Sequence, residues 1–141
     1  MSEMLAGGCL CGAVRYSARP LPESGYYCHC RDCQVGSASA FHVTFISRTE
    51  DFRIETGSPA TWSKTADSGN RIDRLFCPDC GTPLFWTGEG FPGQVVVSSS
   101  SLDDPERVRP ASEIWTDRRL SWCRIAEDLA SSPGRPSDRA P

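Results

Sequence analysis

A chain of 141 residues is the length of one domain, and with 38% hydrophobic and 23% charged residues it is too apolar for intrinsic disorder. No stretch approaches the run of about 18 apolar residues that a membrane span needs, and the start MSEMLAGG lacks the basic and apolar regions of a secretory signal, so a soluble protein of the reducing cytoplasm is expected. A net charge of −3, with 14 arginines among 15 basic residues, argues against a broad phosphate-binding face and hence against nucleic acid, while leaving arginine free for local anion recognition.

Along the chain, residues 1–7 are small and polar and are expected to form a flexible N-terminus. Short apolar or alternating runs then recur at 13–17, 41–46, 51–55, 71–76, 84–86, 94–98 and 113–116, divided by Gly, Pro, Asp and Ser clusters, and they predict strands joined by turns. The 11 prolines and 12 glycines leave room for helix only in a turn after Ser101 and in the segment 120–129. The tail 131–141 is proline-rich without apolar periodicity and reads as disordered. The expected fold is mostly β, a compact single domain over residues 8–130 made of small curled antiparallel sheets organised around zinc-binding turns. A β domain of this size buries a little over 60% of its unfolded surface, so a metal contributing roughly 10–16 kcal/mol of binding free energy would be a large part of its stability.

Eight cysteines in a reducing compartment call for metal rather than disulfides. Their order is Cys9-x-Cys11, Cys28-x-Cys30-x-x-Cys33, Cys77-x-x-Cys80 and a solitary Cys123. The segment Phe76-Cys77-Pro78-Asp79-Cys80-Gly81 has the form of a zinc knuckle: two thiolates three apart reach one ion, and glycine permits a left-handed residue after the second ligand. A closed site needs two more sulfurs. Cys9 and Cys11 supply them if the backbone curls at the flanking Gly7, Gly8 and Gly12, giving a structural zinc on Cys9, Cys11, Cys77 and Cys80.

The three thiolates Cys28, Cys30 and Cys33 make an incomplete tetrahedral shell, the arrangement catalytic zinc uses because its fourth position admits water or substrate. With a net charge of about −1 such a site is a weaker electrophile than one of three imidazoles and better suited to a soft sulfur ligand. The alternative is a shell completed by Cys123, His29 or His42 and a merely structural second site. His29, lying between two ligands, should point away from their metal, and His42 sits in an alternating run. Arg31 is a candidate anion contact, and Asp32, His42 and Glu113 are candidate proton carriers. Tyr26, Tyr27, Phe85, Trp86 and Trp115 can wall a pocket or fill the core, and Asp103 and Asp104 before Pro105 read as a turn or helix cap.

These motifs resemble the glutathione-dependent formaldehyde-activating enzyme family, to which the centromere protein V group also looks related. The resemblance runs from Gly8 to about Leu129. It is carried by Gly8-Cys9-Leu10-Cys11-Gly12, by Cys28-His29-Cys30-Arg31-Asp32-Cys33, by Phe76-Cys77-Pro78-Asp79-Cys80-Gly81-Thr82-Pro83-Leu84-Phe85, by Ser101-Leu102-Asp103-Asp104-Pro105, and by Glu113-Ile114-Trp115 through Trp122. It implies compact curled β sheets, a structural zinc on Cys9, Cys11, Cys77 and Cys80, and a catalytic zinc on Cys28, Cys30 and Cys33. The implied reaction joins formaldehyde to the thiol of glutathione as S-hydroxymethylglutathione, a carbon-sulfur lyase activity in reverse. Gln34 stands where the family often has a basic residue, which weakens an anion contact, and Glu113 where it often has histidine, which turns a proton-transfer imidazole into a carboxylate. The competing classes are a zinc-stabilised protein-interaction module without activity and, against the acidic charge, a nucleic-acid-binding zinc ribbon. The sequence decides no oligomeric state.

Overall fold

In the computed structural model, which describes residues 2–125 and 129–138, ten strands and one short helix follow one another in the order β1 (Leu5–Gly8), β2 (Arg15–Pro20), β3 (Tyr26–Cys28), α1 (Arg31–Ser37), β4 (His42–Thr56), β5 (Ala60–Thr65), β6 (Arg71–Phe76), β7 (Pro83–Gly88), β8 (Gln94–Ser98), β9 (Ser112–Ile114) and β10 (Ala130–Ser131). They join in one sheet of order β10-β9-β3-β4-β8-β7-β6-β5, with the β1–β2 hairpin attached to β4. The pairings are antiparallel except those of β9, which lies parallel to both β3 and β10. The mostly β, single-domain expectation holds.

The spine is β4. The strands expected at 41–46 and 51–55 are one continuous strand of 15 residues, because the polar residues between them stay extended, Ser47 opposite Pro20 and Val95 and Arg48 opposite Gln94. Along one edge β4 pairs first with β3, at Thr44↔Tyr26, and then with β2, at Phe52↔Ala18; along the other it pairs with β8, at Phe45↔Val97. Strands β6 and β8 lie where the sequence places them, at Arg71–Phe76 and Gln94–Ser98.

Alternation along β7 and β8 gives the sheet a core on each face. Phe85, Val95 and Val97 join Val14, Tyr16, Ala18, Phe45, Leu84 and Leu102 in the first, together with Cys9 and Cys77. Trp86 and Val96 turn to the other side and join Ile114, Cys28 and Cys33 in the second, rimmed by Tyr26, Ile72, Phe91 and Trp115. In the first core the Phe52 and Phe85 rings meet edge to face at 4.8 Å, Tyr16 packs on both, and its hydroxyl shares a 2.6 Å hydrogen bond with Ser101 Oγ.

Several segments depart from the reading of the sequence. Residues 5–7 are not frayed; they form β1 and pair with β2. Residues 131–138, read as a disordered tail, lie against the sheet: Ser131 is in register with Glu113, the amide of Ser132 donates to the Glu113 carbonyl, and Ser132 is fully buried. Backbone hydrogen bonding anchors this stretch in place of apolar burial. Helix α1 was not anticipated, and the described part of the segment 120–129 is turn and irregular chain, with residues 126–128 lying outside the described residues. After Ser101 the chain makes the expected turn, where Asp104 Oδ1 caps the 3-10 turn Pro105–Arg107 by accepting from the Glu106 amide. Strand β5 is an edge and exposes Trp62, and among the described residues no helix is long and apolar enough to cross a membrane.

Burial predicts unequal costs of truncation. Phe85→Ala should lower the denaturant-unfolding free energy of the metal-loaded protein by about 3–5 kcal/mol, and Trp62→Ala by about 1 kcal/mol or less. Similar losses for both would contradict the burial of Phe85 in the first core and the exposure of Trp62 on the edge strand.

Candidate metal centres

The four sulfurs of Cys9, Cys11, Cys77 and Cys80 all lie within 4.8 Å of one another, on two turns of similar construction. In the first, the Cys9 amide donates to the Val14 carbonyl, and in the second the Cys77 amide donates to the Thr82 carbonyl, five residues on in each case. Gly12 (φ 81°) and Gly81 (φ 78°) follow the second cysteine of each turn in the left-handed region, where a side chain would be strained. The curl expected around the first pair is therefore placed at Gly12, while Gly7 and Gly8 lie in regular strand. Sulfur separations of 3.6 Å for Cys9–Cys11 and 3.8 Å for Cys11–Cys77 match the roughly 3.8 Å edge of a tetrahedron with ~2.3 Å zinc–sulfur bonds. Thr82 ties the turns together: its hydroxyl accepts from the Leu10 amide at 3.1 Å and lies 3.1 Å from Cys80 Sγ. Hydrogen bonding from the Thr82 side chain, with backbone amides, holds the Cys80 thiol down at about 5.

On the opposite face, Cys28 closes β3, Cys30 is the N-cap of α1 and Cys33 lies in its first turn; their sulfurs also lie within 4.8 Å of one another. Cys30 Sγ accepts from the Cys33 amide at 3.3 Å, so the turn that caps the helix also brings the ligands together. Cys28 and Cys33 are buried and Cys30 half-buried. Hydrogen bonding from Cys28 and then Cys33 pulls the Cys30 thiol down to about 2, while sharing a proton with Cys30 pushes Cys28 well up. An all-sulfur donor set of this spacing fits zinc at both places.

Among the described residues no other His, Cys, Asp or Glu side chain joins either group. His29 turns away from its cysteine neighbours, and its Nε2 lies 3.1 Å from Glu113 Oε1. His42 is buried against Trp86, at 4.8 Å between ring centres, and shares a 2.8 Å hydrogen bond with Ser98 Oγ. Cys123 is buried outside both groups. Of the candidate polar residues, Arg31 donates to Gln34 Oε1 at 3.2 Å and Asp32 accepts from Lys64 Nζ at 2.9 Å, which engages both locally. Phe85 belongs to the first core, Tyr26, Trp86 and Trp115 surround the trio, and Tyr27 packs edge to face on Phe41. Asp103 binds Arg15 through both carboxylate oxygens.

Arg74 was not anticipated. From β6 it stands opposite Trp86, with its guanidinium 5.1 Å from the ring centre, and it reaches α1, where a methyl on Gly36 would come within 3.3 Å of Nη1. Its positive charge lowers the pKa of both Cys30 and His42, and among the described residues no carboxylate pairs with it. Only the register of β6 on β7 and the presence of α1 bring it to the trio, and neither is written in local sequence.

A groove of about 630 Å³, within the range of small-molecule sites, runs past residues adjoining the trio, and none of Cys28, Cys30, Cys33 and Arg74 lines it. Its walls include Ser37, whose hydroxyl donates to the Cys33 carbonyl, and His42, which pairs with Cys28 across the strands. Arg15, Ser39, Ser98 and Ser101 also line it, and the groove extends to Cys9 and Leu10 of the other turn.

Both histidines lose basicity on folding, His42 to about 4 through burial and then the Arg74 charge, and His29 through burial that outweighs the attraction of Glu113. Their unfolded value is near 6.5, so the neutral-histidine contribution is complete above that pH and is lost as the pH falls toward the folded values. For buried His42 this amounts to about 3 kcal/mol between pH 6.5 and 4. Unfolding free energy measured across that range should fall with acidification, and His42→Gln should flatten the decline; an unchanged slope would contradict the burial of a neutral ring.

Comparison with known proteins gives the family of the chain. The sequence pattern of the family described as glutathione-dependent formaldehyde-activating enzyme matches residues 4–118. A protein of Halomonas elongata, provisionally named a glutathione-dependent formaldehyde-activating enzyme, is 25% identical over 131 residues, covering 86% of this chain and 81% of its own. A crystal structure of a Rhodobacter sphaeroides protein shares the fold with a TM-score of 0.61 at 21% identity, over 75% of this chain and 92% of its own. With its cysteine turns and its sheet in place, and with the family pattern running through all seven clustered cysteines, the chain belongs to the glutathione-dependent formaldehyde-activating enzyme family.

Proposed function

We propose that this protein joins a thiol, glutathione in the first instance, to formaldehyde or a similar small carbonyl, and catalyses the reverse carbon-sulfur cleavage. The observation that carries the reading is the trio of sulfurs within 4.8 Å with no fourth ligand from the described chain. Cys28, Cys30 and Cys33 would hold a zinc ion, and Cys9, Cys11, Cys77 and Cys80 a second, structural one. Zinc at the trio would favour the thiolate form of a substrate thiol at neutral pH.

In the forward direction a bond forms between the thiol sulfur and the carbonyl carbon, the carbon-oxygen π bond breaks, and the proton lost by the thiol ends on the oxygen as a hydroxymethyl group. The protein's part is orientation. The groove would receive the peptide portion, where the exposed hydroxyl of Ser39 offers a hydrogen bond. Arg74, free of a carboxylate partner among the described residues, takes the anion-binding role that Arg31 and Gln34 leave vacant through their mutual hydrogen bond. Of the three candidate proton carriers, Asp32 is held by Lys64 and Glu113 by His29 and Arg119, so His42 with Ser98 is the polar pair open to the groove. The expected place of action is the cytoplasm, where thiols stay reduced.

Cobalt-substituted protein should bind two ions, and glutathione should change the spectrum of one of them; two unresponsive ions would support the non-catalytic interaction module. Cys77→Ala should cost folding, whereas Cys30→Ala should leave a soluble domain with one metal. Arg74→Met should raise the KM for glutathione about tenfold, the loss of roughly one charge-assisted hydrogen bond, with two metals still bound. An unchanged KM would remove Arg74 from the substrate site.

A further inference from the structure

Behind the trio the buried side chains of Gln34 and Glu113 converge on His29, the residue between two of its ligands. His29 is 0% exposed, and Gln34 and Glu113 are each 5% exposed. His29 is held at three points: its amide donates to the Ile114 carbonyl at 3.1 Å, its carbonyl accepts from Gln34 Nε2 at 2.9 Å, and its ring Nε2 meets Glu113 Oε1 at 3.1 Å. Gln34 Nε2 also donates to the Arg118 carbonyl at 3.0 Å, and Glu113 lies 3.3 Å from Arg119 Nη1. These bonds join the residue after β3 to α1, β9 and the turn that follows β9 in one buried polar network, in which His29 Nδ1 has no partner among the described residues. Polar groups buried this deeply are costly unless paired, so each contact restricts the others.

The geometry points to His29, Gln34 and Glu113 as positioning residues that hold the Cys28–Cys33 turn in its ligating shape and so set the metal affinity of the trio. The inference rests on the reading of the trio as a metal site. A turn spanning six residues has many conformers in which three thiols diverge, and fixing His29 at its amide, carbonyl and ring removes rotation on both sides of the ligand pair Cys28 and Cys30. Outer partners of this kind change metal affinity by about 10- to 100-fold when removed. Glu113 acts here through an oxygen that accepts from His29, a role glutamine can also fill.

The test is removal of cobalt(II) from the full-length, two-cobalt protein by a competing chelator, followed by the thiolate charge-transfer absorption of each ion. Glu113→Ala should speed loss from the trio about 10- to 100-fold and leave the rate at the quartet unchanged. Glu113→Gln, which retains the accepting oxygen, should stay within about threefold of the unmodified protein, a rescue that general destabilisation would not give. Gln34→Met should loosen the trio in the same direction and carries the test if Glu113→Ala fails to fold. Equal acceleration at both sites, no acceleration, or identical behaviour of the Gln and Ala variants at 113 would overturn the positioning role while leaving two metals bound. An unmodified protein that takes up one cobalt only, at the quartet, would instead overturn the metal reading of the trio and this inference with it.

Discussion

Two neighbouring strands, β7 and β8, govern the organisation of the molecule, because their side chains are buried on both faces of the sheet. Phe85 and Val97 close one core and Trp86 and Val96 the other, and each core carries one group of cysteines at its edge. The separation of the two sulfur groups is thus a product of strand alternation: a shift of register by one residue would exchange the faces and bring Trp86 against the quartet. Neither group can be rearranged without disturbing the core beneath it.

The two groups are built on different local solutions. The quartet uses paired turns with a left-handed glycine after the second cysteine, and joins them through Thr82. The trio uses a helix start, in which a cysteine occupies the capping position and accepts an amide hydrogen bond with its sulfur. The first arrangement surrounds its centre with sulfur from two distant parts of the chain. The second gathers three sulfurs from one short stretch, and no fourth ligand from the described residues joins them. His29, Gln34 and Glu113 brace this stretch from behind its ligands.

Cysteine spacing made both groups legible before any coordinates, since CxC, CxCxxC and CxxC leave few ways to divide seven thiols between two centres. Alternating runs likewise located β6 and β8. Other elements were hidden for identifiable reasons. Helix α1 has seven residues and includes a glycine, so it shows no apolar periodicity; it exists because Cys30 caps it and Gln34 is tied to His29 and Arg118. Strands β3 and β10 are three and two residues long, too short for a pattern, and are held by pairing with other strands. Arg74 reads as an ordinary exposed-strand arginine until the pairing with Trp86 brings it beside the helix. Gln34 and Glu113 could be noticed as residues near motifs, but their convergence on one histidine depends on the parallel contact of β9 with β3.

The 66 residues that separate Cys11 from Cys77, whose sulfurs come to 3.8 Å, have a consequence for how the chain reaches its native state. Closing a loop of that length costs about 4 kcal/mol of entropy before any contact is made, and most of the sheet lies inside it. An ion shared by the two turns would act as a clasp on this loop, comparable in reach to a long-range disulfide but released by chelation instead of reduction. During synthesis the trio's ligands emerge together, whereas the clasp would have to wait until residue 80 has left the ribosome, so capture of metal at the two places would be separated in time by the order of the sequence itself.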